Sequence, residues 1–227
     1  MQKPSLALSI VLPVYKECEN LAIFIPEIEK GFSGMAFEII IIDDNSQDGT
    51  KELVAQLQKQ FTNIRIIGRS GLLGIGSALR EGYNIAEGDY ILSSDADLSF
   101  RVEDMLVLYQ KIQEGYDMVL GFKVIPAAVA MRLKYRLSHF CNWIIRQISG
   151  LGRLKDFNTN FRILRASLWR QINTREDRNF FLFETILKAK RKGAKITEIP
   201  VAFYDRKFGR TKLSFFKEAP RYLLKLI

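Results

Sequence analysis

The chain has 227 residues, 48% of them hydrophobic and 26% charged, which is material for one sizeable core. No apolar run approaches the ~18 residues of a bilayer-spanning helix, and Cys18, Cys141 and the single His139 show no metal-type spacing, which argues against structural zinc, a Ser–His–Asp triad and a disulfide framework. The net charge of +9 is divided unevenly: residues 1–122 hold 10 Lys/Arg against 18 Asp/Glu, residues 123–175 hold 11 against one, and residues 176–227 hold 13 against 6.

An acidic half followed by a basic half suggests an anionic partner: nucleic acid, a membrane surface or a phosphorylated substrate. Free thiols fit a reducing compartment. In chain order, "LALSIVLPVY" reads as a first strand rather than a leader peptide. "NLAIFIPEIEKGF" has helical spacing, with Asn20 as cap and Pro26 as an irregularity. "FEIIIIDD" is a β-branched run, as expected of a strand buried on both faces. "SQDGTKELVAQLQKQF" is a turn and a helix, capped by Ser46 or Asp48. "NIRIIG" is a third strand, and "GSALREGYNIAEG" a helix closed by Gly88. "DYILSSD", "VEDMLVLYQKIQEG" and "DMVLGF" continue as strand, helix, strand.

This alternation predicts an α/β fold: a mostly parallel central sheet with helices on both faces, in a single domain. The second half differs. Residues 126–150 form a long basic helical stretch, and "FNTNFRILRASLWRQI" is a polar loop entering an apolar segment. "FLFETILKAKRKGA" is a helix ending at Gly193, and "KITEIPVAFYD" is a strand. "RKFGRTKLS" is a basic loop, and "FFKEAPRYLLKLI" is an amphipathic close.

Ligands of parallel sheets bind beyond the carboxyl ends of the strands. Pro13–Glu17, Asp43–Ser46 and Asp95–Ser99 all fall there. In extended chain, residues i and i+2 point the same way, so Asp95 and Asp97 can meet one hard cation, Mg2+ or Mn2+. A bare D-x-D is also common in turns. Asp43 and Asp44 end a neighbouring strand and can accept hydrogen bonds from a base or ribose. "GLLGIGSALREG" does not fit G-x-G-x-x-G and does not follow the first strand, so its glycines are read as serving a tight turn and close packing.

"SIVLPVYKECENL", "EIIIIDDNSQDGT", "GIGSALREGYNIAEGDYILSSDADLSF", "FNTNFRILR", "FLFETILKAKRKGAKITEIPV" and "RKFGRTKLS" occur in this order and cover nearly the whole chain. Together they resemble family 2 glycosyltransferases of the GT-A fold, in the branch that acts on dolichol or polyprenyl phosphate. The resemblance implies one domain over 1–227, with a nucleotide-binding half (1–122) and an acceptor-binding half (123–227). It implies an inverting transfer of a hexose, mannose from GDP-mannose first, to a polyprenyl phosphate; glucose or another sugar on undecaprenyl phosphate is the alternative. A basic module binding nucleic acid or acidic membrane is the rival of another class. No nucleic acid is expected as a partner of the enzyme.

The resemblance also places roles. Pro13, Tyr15, Glu17, Asp43 and Asp44 would cradle the nucleotide. Asp95 would meet its diphosphate and, with Asp97, the Mg2+ or Mn2+. Ser99 stands where some relatives carry a glutamine ligand. Arg206 and Lys212, in a loop resembling Arg-x-x-Gly-x-Ser-Lys, would steady the leaving diphosphate. Arg132 and Arg136, one helical turn apart, and Arg162 would hold the acceptor phosphate. Relatives that act on hydroxyls carry Glu-Asp where this chain has only Glu184. A phosphate acceptor is already an anion and needs no strong base, so Glu184 is expected to orient groups; its simplest alternative is an i,i+4 pair with Lys188. The enzyme is expected on the cytoplasmic face of a membrane, held peripherally, and a membrane segment could follow residue 227.

Overall fold

The computed structural model describes residues 6–124, 152, 154–204 and 208. The order is β1 (Leu8–Val14), α1 (Cys18–Gly31), β2 (Phe37–Asp43), α2 (Thr50–Leu57), β3 (Ile64–Gly68), α3 (Ile75–Ile85), β4 (Tyr90–Ser93), α4 (Val102–Gln113), β5 (Met118–Val124), β6 (Arg162–Arg165), α5 (Ala166–Trp169), α6 (Phe180–Arg191) and β7 (Ile196–Ala202). The strands form one seven-stranded sheet in the order β3-β2-β1-β4-β6-β5-β7. β6 runs antiparallel to both β4 and β5; the other pairs are parallel.

The isoleucine run behaves as its composition requires. All seven residues of β2 are buried. Side chains alternate across a strand, so Ile39 and Ile41 enter the core under α1, α2 and α4, while Ile40 and Ile42 enter the core under α3 and α6. The sheet is thereby covered on both faces, the usual condition for parallel strands.

Three local expectations change. Asn20 lies inside α1, not at its start, and its Nδ2 donates to Glu17 Oε2 at 2.6 Å. The N-terminal amide of Cys18 is taken by Asp48 Oδ2 at 3.1 Å, from the loop before α2. Asp48 Oδ1 also accepts from the Thr50 amide and hydroxyl, so one carboxylate serves two helix starts. Gly88 does not close α3, which ends at Ile85. It lies against β1, where a Cβ would stand 2.6 Å from the Leu8 carbonyl carbon and the Ser9 nitrogen. Pro26 does not break α1. It and Ala22, whose carbonyl loses its partner there, are exposed, so water can replace the missing hydrogen bond.

The antiparallel β6 was not foreseen. The long helix expected over 126–150, the basic loop at 206–214 and the closing stretch at 215–227 lie outside the described residues, apart from Phe208.

Candidate active site

From β1 the chain adds β2 and then β3 on one side, and later β4 on the other. Such a reversal opens a crevice at the carboxyl ends of β1 and β4, where ligands of open α/β sheets bind. The segments after β1, β2 and β4 all emerge at this edge. The Asp44 amide donates to Val14 O, and the Ser94 amide to Val11 O. The Lys16 amide donates to Ser46 Oγ at 2.7 Å, joining the first two segments.

Pro13 sits within β1, paired with Ile42. Tyr15 follows, half-buried, with Lys16 Nζ 5.5 Å from its ring centroid. Glu17 is buried and bound by Asn20. Asp43 is fully buried, and its carboxylate accepts the Ser46 amide at 3.1 and 3.3 Å. It holds the turn after β2 through the Ser46 amide. Asp44 Oδ1 accepts from Arg69 Nη1 at 2.5 Å, and both side chains are nearly buried. Burial pushes the Asp44 carboxyl up from its ordinary value; Arg69 and the amides of Gly74 and Leu73 oppose that rise.

Asp95 is half-buried and its Oδ1 accepts from Asn160 Nδ2 at 3.1 Å. Asp97 is buried, and its Oδ1 accepts the Ser99 amide at 3.1 Å. That bond spans Leu98, which has φ +62°, a conformation a leucine rarely adopts. Ser99 is buried, and its carbonyl accepts the Tyr204 amide. Phe100 then stacks on Phe161 with centroids 4.3 Å apart. The D-x-D loop is therefore fastened at both ends.

Arg162 is fully buried. Its guanidinium donates to the carbonyls of Thr159 and Leu182. Through these bonds Arg162 ties the start of β6 to α6. Glu184 is buried on α6. It accepts the amides of Arg175 and Glu176 at 3.0–3.1 Å and pairs with Lys188 at 2.7 Å. The loop it holds docks on the head of α3. The Ser77 amide and the Arg80 guanidinium bind Asp177 and Glu176 there. Gly74 (φ +103°) and Gly76 leave room for this contact; a Cβ on either would stand within 2.8 Å of that loop's backbone. Arg132, Arg136, Arg206 and Lys212 lie outside the described residues.

Two residues were missed. Arg69 follows β3 at the same sheet edge as the acids, and a basic residue at that strand end was the available signal. Asn160 lay inside the quoted "FNTNFR", but nothing local pairs it with Asp95, 65 residues earlier.

Asp95 and Asp97 offer only oxygen donors, the chemistry of Mg2+ or Mn2+. Among the described residues no three acidic, histidine or cysteine side chains gather as a metal cluster. A cation here would take the rest of its shell from phosphate and water, as Mg2+ often does. The side chain of Asn160 fits such an ion: its Oδ1 is buried beside Asp95 without a hydrogen-bond partner.

The chain is similar to known proteins in sequence and in fold. Residues 9–177 match the model of glycosyl transferase family 2. Dolichol-phosphate mannosyltransferase of Pyrococcus furiosus is 26% identical over 90% of this chain and 58% of its own length. Polyprenol monophosphomannose synthase of Mycolicibacterium smegmatis is 25% identical over 93% of this chain and 83% of its own. The chain thus spans little more than half the length of the first relative. Glucosyl-3-phosphoglycerate synthase of Mycobacterium tuberculosis, solved with Mn2+, UDP and phosphoglyceric acid, superposes with a TM-score of 0.75 at 17% identity, covering 97% of this chain and 77% of that one. A structure of the same enzyme with Mg2+ and UDP gives 0.73 at 15% identity, covering 97% of this chain and 79% of that one. The fold is GT-A, and the chain belongs to glycosyltransferase family 2.

Proposed function

We propose that this chain transfers a hexose, mannose from GDP-mannose first, to a polyprenyl phosphate with inversion at the sugar carbon. The observation that carries the reading is the pair of acidic strand ends flanking the β1–β4 crevice, Asp44 with Arg69 on one side and Asp95 with Asp97 on the other. The names of the two mannosyl-transferring relatives support the choice of sugar and acceptor.

In this reading residues 1–122 hold the nucleotide and residues 123–227 the acceptor. Tyr15, Glu17 and Asp44 line the nucleotide side. Asp95 and Asp97 hold a Mg2+ or Mn2+, which supplies counter-charge to the leaving diphosphate. Arg206 and Lys212 add positive charge to the same leaving group. Arg132 and Arg136 draw the acceptor phosphate. A phosphate oxygen attacks the anomeric carbon as the bond to the diphosphate breaks. That oxygen is already anionic, so no side chain has to remove a proton. Glu184, occupied by two amides and Lys188, orients the 175–177 loop instead. No described helix is long and apolar enough to cross a membrane, and we place the enzyme peripherally on the cytoplasmic face, where its lipid acceptor would be met.

The test is a transfer assay with purified protein, a short polyprenyl phosphate and a panel of nucleotide sugars, with and without chelator. Mannosyl transfer is expected from GDP-mannose. Chelator should abolish it, and Asp97→Ala should lower kcat by about 10²–10³-fold. Transfer of a different sugar would reassign the donor. No transfer from any donor would refute the enzyme reading, and turnover that survives both chelator and Asp97→Ala would refute the metal role.

A further inference from the structure

We propose that Asn160 is a positioning residue of the cation site: its Nδ2 fixes the Asp95 carboxylate, and its Oδ1 accepts a hydrogen bond from water on the bound cation. The inference rests on the reading that Asp95 and Asp97 hold a divalent cation.

The geometry starts from burial. Asn160 is only 3% exposed, and a buried amide normally has partners for both ends. Nδ2 has one, Asp95 Oδ1 at 3.1 Å. Oδ1 is buried and has none. The orientation of the amide follows from its neighbour: a carboxylate only accepts, so the NH2 group must face it. Turning the amide over would set two oxygens against each other. Nitrogen and oxygen share one planar amide, so the unsatisfied oxygen lies next to the same carboxylate. What is missing there is a donor, and a hydrated cation brings donors in its water shell.

The residue type suits the task. A lysine or arginine at 160 would hold Asp95 too, but would cancel the charge the cation needs. A neutral amide orients the carboxylate and leaves its charge intact. Metal sites commonly fix their ligands through such outer partners.

The backbone beneath Asn160 is also fixed. Ser93 Oγ donates to the Asn160 carbonyl at 2.7 Å. Tyr83, whose hydroxyl lies 2.7 Å from Ser93 Oγ, must then be the donor in that pair. Ser93 and Arg162 are register partners across β4 and β6. Phe161 stacks on Phe100 at the far end of the acidic loop. Two consecutive residues, Asn160 and Phe161, thus hold the D-x-D segment at its beginning and its end. This gives the unforeseen β6 a purpose: inserted antiparallel beside β4, it brings its own N-terminal end to the crevice.

The test titrates Mn2+ by electron paramagnetic resonance against the parent, Asn160→Ala and Asn160→Leu, with GDP or UDP present in turn. Thermal melting with and without Mn2+ accompanies it. Asn160→Leu keeps the branched outline of the side chain and removes both polar atoms, so it carries the test if Asn160→Ala fails to fold. Mn2+ affinity should fall about tenfold or more in the folded variants. The Mn2+-induced rise in Tm should shrink, while the metal-free Tm changes little. Unchanged Mn2+ affinity in a folded variant overturns the proposal, and so does a lower metal-free Tm with the full Mn2+ shift retained, which marks a purely structural residue. No Mn2+ binding by the parent would instead refute the cation reading on which this rests.

Discussion

The Asp44–Arg69 contact shows how one residue at the crevice depends on another. Asp44 is carried to the edge by a strand buried on both faces, and that burial disfavours its charge. Arg69 opposes that effect by direct pairing at 2.5 Å. It also reaches the Gly74 carbonyl and Ser77 Oγ, so it links β2 to the head of α3. Removing one partner of a buried pair leaves an uncompensated charge, which costs about 3–5 kcal/mol. Arg69→Ala should therefore lower unfolding free energy by that order in urea melts. Adding Asp44→Asn removes the stranded charge, and the double variant should be more stable than the sum of the two single losses predicts. Strict additivity would mean that the two side chains do not interact.

At the scale of elements, Asp48 joins α1 to α2 by accepting amide hydrogen bonds from both. Burial alone would raise its pKa, but the hydrogen bonds from Thr50 and Cys18 outweigh it and hold the carboxyl below its ordinary 3.8. An acid whose folded pKa is depressed stabilises the fold above its unfolded pKa and loses that contribution as pH falls through the folded value. Asp48→Ala should cost about 1 kcal/mol near neutrality, the usual loss of a helix cap. The gap between variant and parent should close below about pH 4. Melts of both proteins from pH 7 to 2.5 measure it; a gap independent of pH would rule out the charged cap.

The same residue marks the limit of what the sequence conveys. Hydrophobic runs and turn residues were enough for β1 to β5 and their helices, because those signals are local. The start of α1 is not legible locally, because the acceptor of its Cys18 amide, Asp48, comes from 30 residues away. β6 was missed for a related reason: "RILR" has four residues, and nothing in them sets strand direction. At the site, the acids were legible as polar residues ending apolar strands. How deeply each is buried depends on tertiary neighbours. The charge of Arg162 does not reveal that its guanidinium reaches the carbonyls of Thr159 and Leu182.

At the scale of the whole molecule, charge divides along the chain. Residues 123–227 carry 24 Lys/Arg against 7 Asp/Glu, while residues 1–122 are net acidic. The proposed reaction at a lipid phosphate would need the protein to meet the bilayer, and basic segments gain about 1 kcal/mol per Lys or Arg close to an anionic surface. Such attraction decays over roughly 10 Å at 0.1 M salt and 3 Å at 1 M. The protein should therefore sediment with vesicles containing anionic lipid at low salt and be released as salt approaches 1 M. Neutral phosphatidylcholine vesicles should hold little of it at any salt. Truncating residues 215–227 removes three Lys/Arg and one Asp/Glu and tests what that stretch adds. If that truncation weakens binding at high salt more than at low salt, apolar insertion by the closing stretch contributes alongside charge. Equal binding to neutral and anionic vesicles would defeat the electrostatic account.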